Sequence, residues 1–275
     1  MISRIVVITG ASGGIGAALT RRLAFDRARL FIAARRQAEL EEVAAAALKL
    51  GAKQAVPVVA DVTRKADVFR IRDTVLADRG RIDVWVNNAG RGITRSVLDL
   101  TDEDVDEIID INLKSAIYGM QAAIPHFIER GEGHLINVSS FLGRVPIASF
   151  RSIYSASKAA LNSLTSNLRM DLREYPGIKV SLIMPGVVTT DFARNVRGDA
   201  RPPVTGAGPG GAPMQTQTPE EVAERIAQVI SNPVAELYTN PASAEIARRY
   251  YADVGAFDQG AAPPALQSPQ GERRV

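Results

Sequence analysis

Two side chains in this sequence are spaced to move a proton. Tyr154 and Lys158 stand four residues apart in Tyr154-Ser155-Ala156-Ser157-Lys158. On a helix they share one face, about 6 Å apart along the axis. An ammonium beside a phenol favours the phenolate and is expected to lower the tyrosine pKa. A phenol so tuned can act as general acid or base near neutral pH, which a free phenol with a pKa of about 10 cannot. Taken alone, the pair reads better as a surface contact; the motifs around it argue otherwise.

A second constellation lies near the N-terminus, in Thr9-Gly10-Ala11-Ser12-Gly13-Gly14-Ile15-Gly16. Glycines between a strand and a helix let the backbone turn tightly and approach a pyrophosphate, whose charge the helix N-terminus favours. The spacing fits both G-x-x-x-G-x-G (Gly10, Gly14, Gly16) and G-x-x-G-x-x-G (Gly10, Gly13, Gly16). A ligand-free glycine turn is the plainer alternative. The second strand ends at Ala34, where dinucleotide folds often place an acid for the ribose diol, and Arg35 and Arg36 follow. A guanidinium pairs well with a 2′-phosphate that a carboxylate would repel. This favours NADP(H) over NAD(H), unless both arginines merely start a helix at the surface. Position 13 is glycine, so no basic residue inside the turn adds support.

These residues need elements to hold them. Short β-branched runs at 5–8, 30–34, 56–59, 82–86, 135–138 and 180–184 suit parallel strands covered on both faces. Helical periods alternate with them. Leu40, Val43, Ala44, Ala47 and Leu48 mark one helix, stopped at Gly51. Thr101 is the expected N-cap of a long helix to about Glu129, with Asp104 at its third position and Pro125 a possible kink. A third spans about 153–173. The alternation predicts a single α/β Rossmann domain, a doubly wound parallel sheet of about seven strands with helices on both faces. Residues 197–213, with four prolines and five glycines, can be neither helix nor strand for long. The domain is expected over 1–254, with a substrate lid at about 190–216 and disorder over 255–275.

Composition removes other chemistries. The 275 residues include no cysteine and two histidines. Disulfides, thiolate metal sites, catalytic thiols and His-rich metal centres are therefore excluded; no metal is expected. His126 is expected at a surface or interface, His134 flanking a strand, and Trp85 in the core. The net charge of +3 is small and forms no basic block, so nucleic acid is not an expected partner. No apolar run is long enough to span a membrane, and neither cysteine nor an export signal is present; the expected location is the cytoplasm.

Further motifs occur in order: Asn87-Asn88-Ala89-Gly90, Asn112 in Ile111-Asn112-Leu113, Ser139-Ser140, and Pro185-Gly186-Val187-Val188-Thr189-Thr190. With the glycine turn and Tyr154/Lys158, they resemble the short-chain dehydrogenase/reductase family over about residues 1–240. The resemblance implies an oxidoreductase that moves a hydride between a nicotinamide and a carbonyl or secondary alcohol. Tyr154 would be its general acid/base. Lys158 would also bind the nicotinamide ribose, and Asn112 would hold a water linking Lys158 to solvent. Ser140 would hydrogen-bond the substrate oxygen; Gly143 stands three residues later, as in the family pattern, and Ser139 is the fallback. The cofactor contacts implied are Gly10, Ser12, Gly13, Gly14, Ile15, Gly16, Arg35, Arg36, Asp61, Val62, Asn88, Ala89, Gly90, Tyr154, Lys158, Pro185, Gly186, Val188 and Thr190. Asp61 could instead cap the following helix, and Asn87 is expected to be structural.

The pocket wall is expected from 141–150, Phe192 and the lid. Its apolar members Phe141, Leu142, Val145, Ile147 and Phe150 hint at a hydrophobic substrate. The competing readings are an extended-family epimerase or dehydratase and a non-catalytic NADP sensor. A sensor would be expected to lack part of the Ser-Tyr-Lys-Asn set present here. A homotetramer or homodimer is also implied. The long helix carries apolar residues such as Ile109, Leu113, Ile117 and Tyr118 around more of its surface than one core-facing stripe needs.

Overall fold

The computed structural model describes residues 3–189, 197–198 and 216–260. Strands β1 (Ile5–Thr9), β2 (Arg29–Ala34), β3 (Gln54–Val59), β4 (Val84–Asn87), β6 (Gly133–Val138), β7 (Ile178–Met184) and β9 (Glu236–Tyr238) form one sheet. Its order is β3-β2-β1-β4-β6-β7-β9, with seven strands, all parallel. Two short strands, β5 (Ile93–Thr94) and β8 (Arg197–Gly198), pair outside it. Five of the six apolar runs lie within strands and the sixth, 82–86, begins two residues before β4; the seventh strand, β9, is too short and polar to show as one.

Alternate residues serve opposite faces of the sheet. Val6 and Ile8 pack with α1 (Gly14–Phe25), α2 (Gln37–Lys49) and α7 (Pro219–Ser231). Ile5, Val7, Phe31 and Trp85 pack under α3 (Lys65–Arg79), α5 (Ser115–Arg130) and α6 (Ser152–Asp171). Trp85 is in the core, as expected, and its indole N–H donates to Asn87 Oδ1 at 2.8 Å. Strand order reverses between β1 and β4, and at such a switch point a crevice opens beyond the carboxyl ends of the strands.

The expected long helix from Thr101 is three segments. Thr101 and Asp104 form a capping box at the start of α4 (Asp102–Ile109). A π turn, Asp110–Lys114, follows and leads directly into α5. Such a turn inserts extra chain into the helix and marks functional positions; Asn112 sits at its centre.

The tail also departs from expectation. After α8 (Ala242–Ala252), residues Val254–Gly260 form helix α9 where disorder was expected from 255. Phe257 is the cause, burying its ring with Phe141, Val145 and Ala247. Residues 261–275 lie outside the described residues.

Candidate active site

A cleft of about 380 Å³ lies over the switch point, walled by the glycine turn, 88–90, Ser139, Ser140, Tyr154, Lys158 and 185–186. Gly10 and Gly14 have φ of 68° and 52°, in the left-handed region. A Cβ on Gly10 would stand 2.7 Å from Ala89 Cα, and one on Gly16 2.4 Å from Gly10 O. Thus the turn, the helix start and the 88–90 segment touch backbone to backbone. Asn88 Nδ2 donates to Thr9 O at 2.9 Å, and Thr9 Oγ1 accepts from Asn88 N–H at 3.1 Å. Helix α1 opens with no side chain capping it. Its first N–H groups and positive dipole end are left for an anion, and Gly13, Gly14 and Ile15 line the cleft. The residues present fit the pyrophosphate of a nicotinamide dinucleotide.

Arg36 rather than Arg35 folds onto this turn. Its Nη2 donates to Ser12 O at 3.1 Å and to Ser12 Oγ at 3.2 Å. A Cβ at position 13 would lie 3.1 Å from that nitrogen. Gly13 therefore gives room to the guanidinium, whose Nη1 also pairs with Glu39 at 3.0 Å. Ala34 and Arg35 line the same end of the cleft. Asp61 lines the cleft, and its Oδ1 accepts from Thr63 N–H at 3.0 Å and from the Thr63 hydroxyl at 2.8 Å. It is not the cap of α3, whose N-cap is Arg64. Val62 also lines the cleft and is mostly buried.

The two serines part ways. Ser139 faces α6, with Oγ 2.6 Å from Asn162 Oδ1 and 3.2 Å from Lys158 O. Ser140 hydrogen-bonds Tyr154 and also accepts from Leu142 N–H at 3.1 Å, capping the turn Phe141–Gly143. That turn lies directly on α6: a Cβ on Gly143 would be 2.7 Å from Lys158 C. Asn162 Nδ2 ties Gly143 O to the helix at 2.9 Å. Glycine at 143 thus lets the turn that follows Ser140 lie directly on the helix that carries Tyr154. On the other side, Asn112 grips Arg91. Its Oδ1 accepts from Arg91 N–H at 2.8 Å, and its Nδ2 donates to Arg91 O at 3.0 Å and Ser157 Oγ at 3.1 Å. Gly90 lets this happen, since a Cβ there would lie 3.0 Å from Asn112 Oδ1 and 3.5 Å from Lys158 Nζ.

The electrostatics correct one expectation. Lys158 Nζ donates to Val138 O at 3.0 Å, and burial pushes its pKa down to about 8. Tyr154 is shifted up, not down. Crowding about its hydroxyl withholds water from the phenolate, which outweighs the opposing hydrogen bond from Ser140 and the charge of Arg151.

Pro185, Gly186 and Val188 close the far end of the cleft. Thr190 and Phe192, and nearly all of the expected lid, fall outside the described residues. Phe141 and Val145 are not among the described residues that line this cleft; both are buried in the cluster with Phe257. His134 lies inside β6 and does not flank it: it is buried, bonded to Ser181 and held near a pKa of about 4 by desolvation. His126 is half-buried at the surface and accepts from Ile82 N–H at 3.1 Å. The sequence reading missed Asn162, Arg91 and Glu107, whose partners are distant in sequence; Arg91 and Glu107 form an ion pair on the cleft wall. Among the described residues no group of acids and histidines could hold a metal ion, and no helix is long and apolar enough to cross a membrane.

A sequence model of the short chain dehydrogenase family matches residues 4–201. An uncharacterised oxidoreductase of Bacillus subtilis, YxnA, is 34% identical over 246 residues, 89% of this chain and 67% of that protein. An alcohol dehydrogenase of Thermococcus sibiricus, solved with 5-hydroxy-NADP, superposes with a TM-score of 0.74 at 27% identity, covering 86% of this chain and 96% of its own. A short-chain dehydrogenase/reductase of Burkholderia phymatum, solved with NAD, shares the fold with a TM-score of 0.83 at 24% identity, covering 96% and 98%.

Proposed function

Because the chain belongs to the short-chain dehydrogenase/reductase family of oxidoreductases, we propose that it is an NADP(H)-dependent carbonyl reductase or alcohol dehydrogenase with Tyr154 as its general acid/base. The observation that carries this reading is the hydrogen bond between Ser140 and Tyr154 at the cleft wall, one helical turn before Lys158. The bound nicotinamide supplies or accepts the hydride. Tyr154, a phenol and so protonated at neutral pH, with its pKa raised further by burial, gives its proton to the carbonyl oxygen in reduction. Ser140 steadies the charge developing on that oxygen. Lys158, cationic below a pKa of about 8, supports the phenolate left behind and binds the ribose. Asn112 holds the 90–91 segment against Lys158 and lies on the route by which a proton would return.

Arg36, seated on Ser12 and Gly13, would take the 2′-phosphate, with Arg35 beside it. The archaeal neighbour carries an NADP derivative and the Burkholderia one NAD, so the preference rests on Ala34, Arg35 and Arg36 in this chain. The enzyme would work as a homodimer or homotetramer through α5 and α6, the segment 190–216 would cover a small-molecule carbonyl or alcohol, and the absence of cysteine suits a reducing cytoplasm.

The test is Tyr154→Phe assayed against a ketone panel with NADPH. Turnover is expected to fall by about 10²–10⁴ with cofactor affinity held, since only the transferable proton is lost. Wild-type turnover in this variant would remove Tyr154 from the mechanism.

A further inference from the structure

The end of the chain grips the turn that follows Ser140. Ser140 caps Phe141–Gly143, and Phe141 ties that turn to the far end of the cleft, its N–H donating to Pro185 O at 2.8 Å. Phe141 O accepts from Arg144 N–H at 2.8 Å and from Val145 N–H at 2.9 Å. One residue's backbone thus closes the turn and joins it to the 185–186 segment. The Phe141 ring, 1% exposed, is packed in a cluster with Val145, Ala247 and Phe257. It stands edge-on to Tyr238, with centroids 6.1 Å apart.

Half of that cluster comes from the C-terminal helices: Ala247 from α8 and Phe257 from α9. Asp253 reverses the chain between them. Its Oδ1 accepts from Ala256 N–H at 2.9 Å, and its carbonyl from Phe257 N–H at 3.0 Å. Tyr250 meets the Phe257 ring edge-on at 5.3 Å, and the Tyr251 hydroxyl donates to Arg144 O at 3.1 Å. On α9, Phe257 is buried while Val254, Gly255, Ala256 and Asp258 are exposed. A helix of seven residues has too few internal bonds to stand alone, so this one is kept by the ring it delivers. A close-packed cluster passes on displacement. Emptying the Phe257 position leaves a cavity into which Phe141 relaxes, and Ser140 is its covalent neighbour.

We infer that Phe257 is a positioning residue for Ser140: by filling the cluster behind Phe141, helix α9 sets where the serine stands beside Tyr154 in the cleft. This rests on the reading of Ser140 and Tyr154 as the groups that meet the substrate oxygen.

The experiment measures kcat and NADPH affinity with whichever ketone of the panel turns over fastest. The proteins are the wild type, Phe257→Ala, Phe257→Leu, Ser140→Ala, and the double variant of Phe257→Ala with Ser140→Ala. Phe257→Ala is expected to lower kcat by about tenfold to a hundredfold, the scale of a misplacement near 1 Å, with NADPH affinity held. Phe257→Leu fills part of the space and should fall between. In the Ser140→Ala background, Phe257→Ala should cost nothing further, because the group it positions is gone; a purely structural loss would carry over in full. A second readout needs no turnover. Leu142 N–H donates to Ser140 Oγ, so its hydrogen exchange reports the serine's place. That exchange should quicken by about tenfold or more in Phe257→Ala while the amides of α1 keep theirs. Wild-type kcat in Phe257→Ala overturns the inference, as do additive losses in the double variant. Should Phe257→Ala not fold, Phe257→Leu decides by the same two readouts, and unchanged kcat and Leu142 exchange reject Phe257. If Ser140→Ala keeps wild-type turnover, or no ketone is reduced, the reading of the site fails. Leu142 exchange then still decides Phe257, and equal exchange in the wild type and Phe257→Ala rejects it.

Discussion

Lys158 shows what a functional residue costs the fold. It is buried, held by a single carbonyl, and its pKa falls from 10.5 to about 8. Below about pH 8 it is protonated in both folded and unfolded chains, and the desolvation penalty is fully present. Between about 8 and 10.5 the folded chain has lost the proton while the unfolded chain keeps it. The unfolded state then binds more protons, so stability rises with pH across that window. At one pKa unit per 1.36 kcal/mol, the penalty at neutral pH is on the order of 3 kcal/mol. Lys158→Met is therefore expected to stabilise the ligand-free protein at pH 7 while abolishing turnover. Urea melts at pH 7 and 9.5 check it: the rise seen in the wild type should vanish in the variant. The cofactor end offers a second residue-scale prediction. Ala34→Asp with Arg36→Gln should shift preference from NADPH towards NADH, because a charge-assisted contact is lost and a ribose acceptor added. Calorimetry with both cofactors measures it, and unchanged relative affinities would reject the assignment to Arg36.

At the scale of elements, the site is a junction of three irregular segments with one regular helix. The turn Phe141–Gly143 presents Ser140, the π turn Asp110–Lys114 presents Asn112, the 88–91 segment passes between, and α6 carries Tyr154 and Lys158. Contact is tightest at Gly143, where a Cβ would meet Lys158 C at 2.7 Å. Gly143→Ala should push the turn away from α6 and cost about 1–3 kcal/mol, the usual range for overpacking. Since Ser140 moves with the turn, kcat should fall far more than cofactor affinity. Thermal melts with steady-state kinetics separate the two effects. A variant with wild-type kcat would show that the turn adapts without moving Ser140.

For the whole molecule, the question is which surfaces remain to be covered. The α4–α5 helix is apolar on more than one side, but its own chain accounts for much of this: Ile108, Met120 and Ile124 are buried, and Ile111, Leu113 and Tyr118 pack against the same core. The C-terminal helix α9 does not cover it, because Phe257 packs on Phe141 and Val145. Still exposed are Ile128 on α5 and Met170 on α6, at 37% and 52%, with Leu98 at 95% just ahead of α4. Paired subunits would cover such residues. Light scattering at micromolar concentration is expected to give a mass of two or four chains, and 29.5 kDa throughout would make the protein a monomer.

Local pattern was enough for the fold class, the capped helix at Thr101, the glycine turn and the Tyr154/Lys158 pair, because each depends on residues within a turn or a strand of one another. Asn87, by contrast, is held by Ala116 O and Asn137 Oδ1, 29 and 50 residues away. What pattern could not supply depends on neighbours distant in the chain. Arg36 reaches Ser12 across 24 residues, and Asn112 reaches Arg91 across 21. The pKa of Tyr154 follows burial by surrounding elements. The order of helix α9 comes from a ring that meets Phe141 only once the sheet has formed. Spacing along the chain specifies which groups share a face, whereas desolvation and the choice of partner follow from how the faces close on one another.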